Sequence, residues 1–140
     1  MLNLTGRVIR ISGANRGIGL AVAHRLLEGG AKLSLGMRDE MAAASQFGDA
    51  QDIILNRYHA HDVGSAQRWV ENTASTFGKI DGLVNNAGMS QPAVSLMDDN
   101  ETHLDEMWAI NVKGPTRLTR LAMPYPVSYT HLTLPTILLV

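Results

Sequence analysis

Short apolar runs alternate with longer segments of helical period along this chain. "RVIRI" (Arg7–Ile11) reads as a β-strand. "GIGLAVAHRLLEGG" follows at helical spacing and closes on Gly29-Gly30, the residue type that ends helices. "KLSLG" (Lys32–Gly36) is a second strand, "RDEMAAASQFG" a short helix, and "RYHAHDV" holds a third strand. Ala66, Trp69, Val70, Thr73, Ala74 and Phe77 then recur at helical intervals up to Gly78. "IDGLVNNAG" holds a fourth strand. "ETHLDEMWAINVKGPTRLTRLAM" reads as one long helix, with Leu104, Met107 and Trp108 on its apolar face and Asn111 continuing that face. Burying this amide demands partners, because an unsatisfied one costs about 1–3 kcal/mol.

Strands that alternate with helices predict parallel βαβ units. Right-handed crossovers stack such units into part of a doubly wound sheet. The expected fold is therefore an α/β, Rossmann-like parallel sheet of strand order 3-2-1-4, cut off after the fourth βα unit. The turn after the first strand and "NNAG" should lie at the same end of that sheet.

Composition narrows the classes. The 140 residues suffice for one domain with a core. A net charge of −1 gives no reason to expect nucleic acid or an anionic membrane as partner. The absence of cysteine excludes disulfide and thiolate chemistry and fits a reducing, cytoplasmic setting. "MLNLTGRVIRI" has no apolar core of the secretory type, and no window approaches a membrane span. His59 and His61 would share a strand face, but no third ligand accompanies them, so no metal is expected.

Candidate chemistry concentrates at "SGANRGIG", between the first strand and the first helix. Gly13, Gly17 and Gly19 permit a tight turn and a close approach of backbone to a pyrophosphate, with the helix N-terminus behind them. Asp62 can cap the helix after the third strand, or contact a ligand, or do both. "NNAG" (Asn85–Gly88) ends the fourth strand, where ligands of parallel sheets bind.

"SGANRGIG", "HDV", "NNAG" and "INVKG", in that order, resemble the short-chain dehydrogenases/reductases over about Leu4 to Met123. Ser12 stands where the family has Thr. The resemblance implies cofactor contacts from Gly13, Asn15, Arg16, Gly17, Ile18 and Gly19, from Asp62 and Val63 at the adenine, and from Asn86, Ala87 and Gly88. It implies that the backbone carbonyl of Asn111 holds a water in a proton relay. The acidic residue that binds the ribose in NAD-type members is replaced by Met37, followed by Arg38. With Arg16, this points to NADP(H) in preference to NAD(H), because guanidinium suits phosphate. Arg38 also reads simply as a solvated residue beside Asp39. The implied reaction is hydride transfer between a nicotinamide and a small carbonyl or alcohol substrate, in a parent enzyme that is a homo-oligomer.

The family's Tyr-x-x-x-Lys and its Ser are missing. Tyr58, Tyr125 and Tyr129 are followed four places on by Asp62, Tyr129 and Thr133, and the last lysine is Lys113. Among catalytic groups only Asn111 remains. The ending changes character as well: Pro126–Thr136 resembles the conceptual translation of a transposon-end sequencing adapter. The expected organisation is thus 1–125, the N-terminal part of a nucleotide-binding domain, and 126–140, a non-native tail. Two other readings stand beside this one: a non-catalytic dinucleotide-binding module, and a truncated reading frame without function.

Overall fold

The computed structural model describes residues 3–48, 50–90, 97, 99 and 101–125. Its strands are β1 (Val8–Ser12), β2 (Lys32–Met37), β3 (Ile53–Arg57) and β4 (Gly82–Val84). Its α-helices are α1 (Gly17–Glu28), α2 (Glu40–Phe47), α3 (Val63–Phe77), α4 (Thr102–Trp108) and α5 (Gly114–Ala122). The strands form one parallel sheet in the order β3-β2-β1-β4, as the alternation of elements predicts.

One sheet face is apolar. Ile11, Leu33, Leu35 and Met37 pack there with Ala23 of α1 and Ala43 of α2. The opposite face carries Arg10, Ser34 and Asn56, all buried, and is covered by α3 and α5. Trp69 of α3 dominates that side. A Cβ at Gly36 would run into its indole, so glycine makes room for the ring. The Trp69 indole N–H donates to Ser34 Oγ at 2.9 Å and Asn56 Nδ2 donates to the same oxygen at 3.2 Å. Ser34 therefore gives its proton to Thr73 Oγ1 at 2.7 Å, and Thr73 donates to the Trp69 carbonyl at 2.7 Å. Ser34, Asn56, Thr73 and the indole N–H are thereby satisfied, as burial requires.

The third strand differs from expectation. It lies at "IILNR", and "RYHAHDV" contributes only its first residue to it. The β-branched residues Ile53 and Ile54 fill the edge position better than the His-rich stretch. His59 and His61 therefore share no strand face; both are exposed, in the loop before α3.

The long helix also differs. One turn of π-helix, Ala109–Lys113, separates α4 from α5, with the Gly114 N–H donating to the Ala109 carbonyl. The extra residue in that turn rotates the face that follows. Leu104 and Trp108 are exposed at 65% and 56%, whereas Gly114, Pro115, Leu118 and Ala122 are buried. The apolar stripe of α4 is thus surface, and α5 makes the core contacts. Residues 126–140, including the expected tail, lie outside the described residues.

Candidate functional site

The loop after β1 and the residues after β4 are built onto each other. Ser12 Oγ accepts the backbone N–H of Asn86 at 3.0 Å and of Ala87 at 2.9 Å. Asn86 Nδ2 donates to the Ser12 and Gly13 carbonyls, each at 3.0 Å. The Gly13 N–H reaches the Gly36 carbonyl of β2 at 2.7 Å. Ser12 thus joins the carboxyl ends of the two neighbouring strands, and Thr would supply the same hydroxyl.

Glycine is required at this junction. Gly13 and Gly17 have φ of 70° and 55°, in the left-handed region. A Cβ on Gly19 would collide with the Gly13 carbonyl and the Asn86 amide. A Cβ on Gly17 would meet nothing, so the turn opens to solvent there. Arg16, at the N-cap of α1, makes no side-chain capping bond. The first amides of α1 are therefore not closed off by a cap, which suits a phosphate ligand. Asn15 holds the loop to α2 by accepting Gln46 Nε2 at 3.1 Å.

Arg16 and Arg38 are exposed, and Met37 is buried in the core rather than facing the site. Arg57, which sequence reading missed, pairs in register with Met37, the residue before Arg38, and is exposed. It would have been found had the third strand been bounded correctly. Ile18 and Val63 are exposed apolar residues at 78% and 56%. Asp62 occupies the N-cap of α3 without a side-chain capping hydrogen bond. The backbone amide of Ser65 still holds its carboxyl below the usual range, helped by Gly64 and by Arg68, whose Nη2 donates at 3.3 Å.

The short chain dehydrogenase family model matches residues 7–130. The chain belongs to that family. It is 39% identical over 119 residues to the agropine synthesis reductase of Rhizobium rhizogenes, covering 84% of this chain and 28% of that protein. A short-chain dehydrogenase/reductase structure from Brucella melitensis superposes with a TM-score of 0.79 at 30% identity, covering 88% of this chain and 53% of that one. A 3-ketoacyl-(acyl-carrier-protein) reductase from the same organism, complexed with NADH, gives 0.77 at 32% identity, covering 87% and 51%. The chain therefore spans about half the length of these short-chain dehydrogenase structures and less of the reductase.

The family assignment gives Asn111 its context. Its side chain accepts the Met89 N–H at 2.9 Å and donates to the Met89 carbonyl at 2.8 Å. The amide expected to need partners has both, in the segment that follows Gly88. Asn111 sits in the π turn of this short-chain dehydrogenase and there holds the backbone of Met89. Among the described residues no helix is long and apolar enough to cross a membrane.

Proposed function

We propose that this chain is the nucleotide-binding half of an NADP(H)-preferring oxidoreductase that interconverts a small carbonyl and its alcohol. The observation that carries the reading is the junction itself. The open Gly13–Gly19 loop with its uncapped helix end is locked by Ser12 and Asn86 to the strand end that leads to Gly88. The bound nicotinamide would supply the hydride. Gly13, Asn15, Gly17, Ile18 and Gly19 would hold its pyrophosphate side, Asp62 and Val63 the adenine, and Asn86, Ala87 and Gly88 the inner ribose and nicotinamide. Arg16 and Arg38 would pair with a 2′-phosphate, because guanidinium meets phosphate oxygens with parallel N–H groups. The Asn111 side chain holds Met89 in place, and its backbone carbonyl would hold the relay water.

General acid/base catalysis typically contributes about 10²–10⁴-fold. The family's Tyr and Lys pair does not occur in this sequence, so residues 1–140 by themselves are proposed to be inactive. We read residues 126–140 as a non-native tail, and sequencing the source DNA across the codon of Tyr125 tests this. A reading frame that continues differently, with a Tyr-x-x-x-Lys, supports the enzyme. Genomic DNA that encodes this same ending favours a non-catalytic binding module.

The cofactor preference is tested in the enzyme restored to full length. Arg38→Asp should shift kcat/KM from NADPH toward NADH by at least about tenfold, since a carboxylate repels the 2′-phosphate. Equal efficiency with both cofactors, before and after the change, would defeat the assignment.

We also propose a homo-oligomer for the parent enzyme. Leu104, Trp108 and Val112 form an exposed stripe at four-residue spacing. Glu101, Asp105 and Glu106 flank one end of it and Lys113 and Arg120 the other. Antiparallel pairing of two copies would bury the stripe and set acidic ends against basic ends.

A further inference from the structure

The glycine loop after β1 is held from two sides, and one of the holds has no part in the core. Gly13 and Gly17, both left-handed, bracket Ala14, Asn15 and Arg16. At the inner end the Gly13 N–H donates to the Gly36 carbonyl of β2, two residues before Arg38. At the outer end Gln46 Nε2 donates to the Asn15 carbonyl at 3.1 Å. Gln46 lies in the last turn of α2, the helix that starts two residues after Arg38. The loop that carries Arg16 and the helix that follows Arg38 are therefore cross-linked to each other.

Helix α2 does not need this bond to keep its place. Ala43 is buried in the core, and Phe47 packs against the same core and stacks on His24 of α1 with ring centroids 5.1 Å apart at 29°. Gln46 itself is exposed. Removing its amide opens no cavity and leaves the helix packing intact. What changes is the peptide between Asn15 and Arg16. Its carbonyl is the acceptor and its other half is the Arg16 N–H, so the orientation of this rigid plane sets the direction in which Arg16 leaves the backbone. Arg16 is extended, with φ −161° and ψ 167°, and its side chain makes no capping bond. Pairing of guanidinium with phosphate is strongly directional, and a loop free to turn at two glycines would lose that direction. An incidental surface bond is the rival account, and it predicts no selective effect on any ligand.

We propose that Gln46 is a positioning residue for cofactor choice, which aims Arg16 at the 2′-phosphate by holding the Asn15 carbonyl. The inference rests on the reading of Arg16 and Arg38 as the 2′-phosphate pair, and adds to it a residue that need not touch the cofactor. Because Gln46 acts through Arg16, its contribution exists only for a ligand that carries the 2′-phosphate. A neutral hydrogen bond of this kind shifts an equilibrium by about two- to tenfold.

The test uses the enzyme restored to full length, with adenosine 2′,5′-bisphosphate and 5′-AMP as probes in isothermal titration. Gln46→Met keeps the length of the side chain and removes the donor. It should weaken binding of the bisphosphate about three- to tenfold, leave 5′-AMP within about twofold, and raise the KM for NADPH with kcat unchanged. In an Arg16→Ala background the same change should add less than about twofold, since residues that act through one another are not additive. The melting temperature of Gln46→Met should match that of the parent. Equal loss of both probes, or an undiminished loss in the Arg16→Ala background, would reveal a general loop defect and overturn the proposal. So would unaltered binding by Gln46→Met while Arg16→Ala and Arg38→Asp weaken the bisphosphate, an outcome that leaves the cofactor reading standing. A parent that binds the two probes alike, with arginine variants that change nothing, would overturn that reading and this proposal together.

Discussion

Arg10 is the residue that local pattern least prepares for. It lies at the centre of β1 with no exposure, and none of its guanidinium nitrogens has a hydrogen-bond partner among the described residues. It stacks 3.9 Å above the Trp69 ring. Burial lowers its pKa to about 9, against the pull of Tyr58 and Tyr125, so it stays charged at neutral pH. The cation–π contact is worth about 0.5–2 kcal/mol, less than the cost of desolvating an unpaired charge. Arg10→Met should therefore stabilise the chain by at least about 1 kcal/mol in urea denaturation. A less stable variant would show that the guanidinium has a partner of real worth.

Asp81 is the opposite case. Its side chain is buried at the start of β4, where it meets Lys79 Nζ at 2.8 Å, the Val8 N–H at 2.8 Å and Arg7 Nη1 at 3.3 Å. Burial opposes its charge, but Lys79, the Val8 amide and Arg7 prevail and hold the carboxyl below its usual range. The sign follows from linkage. The folded pKa is below the unfolded one, so the stabilisation is complete above the unfolded value, about 3.9, and is lost as pH falls through the folded value. Denaturation midpoints should therefore fall on acidification below about pH 4 in the parent, and less steeply in Asp81→Asn. Parallel pH profiles would remove Asp81 from this role.

At the scale of elements, the junction of β1, α1 and β4 depends on close backbone approach. The expected result for Gly19→Ala is displacement of the loop, since the added methyl would meet the Gly13 carbonyl and the Asn86 amide. Overpacking of this kind costs about 1–3 kcal/mol. Here the larger effect is functional: in the restored enzyme, cofactor affinity should drop well before the melting temperature does. Unchanged affinity would mean that the loop does not carry the pyrophosphate. The Gly-rich turn and its flanking strand and helix were legible in sequence because each depends on local conformation. The third strand was misplaced because "IILNR" and "RYHAHDV" both have strand character, and only pairing with β2 decides between them.

At the scale of the whole molecule, the exposed stripe on α4 makes a prediction about assembly. Trp108→Glu in the restored enzyme should convert an oligomer to a smaller species by light scattering. The side chain is 56% exposed, so the fold of one copy should tolerate the change. An unaltered mass would place the interface elsewhere. The sequence read this stripe as core, a reasonable inference from periodicity alone, because a helix that meets a second copy and one that meets its own sheet have the same pattern.

The chain by itself determined what rests on near neighbours. Helix ends at Gly29 and Gly78, the turn at Gly13 to Gly19, and the alternation that makes a parallel sheet all follow from backbone freedom and side-chain period. The order and place of its motifs also carried the family. Tertiary structure decided what depends on residues far apart. It put Ser12 under Asn86, paired Arg57 in register with Met37, closed Asn111 on Met89, and turned the α4 stripe outward through one π turn. It also set Arg10 over Trp69, a contact between residues 10 and 69 that no local pattern encodes. The reason is physical: a propensity belongs to a few adjacent residues, whereas burial and partnership belong to whichever surfaces the packed chain brings together.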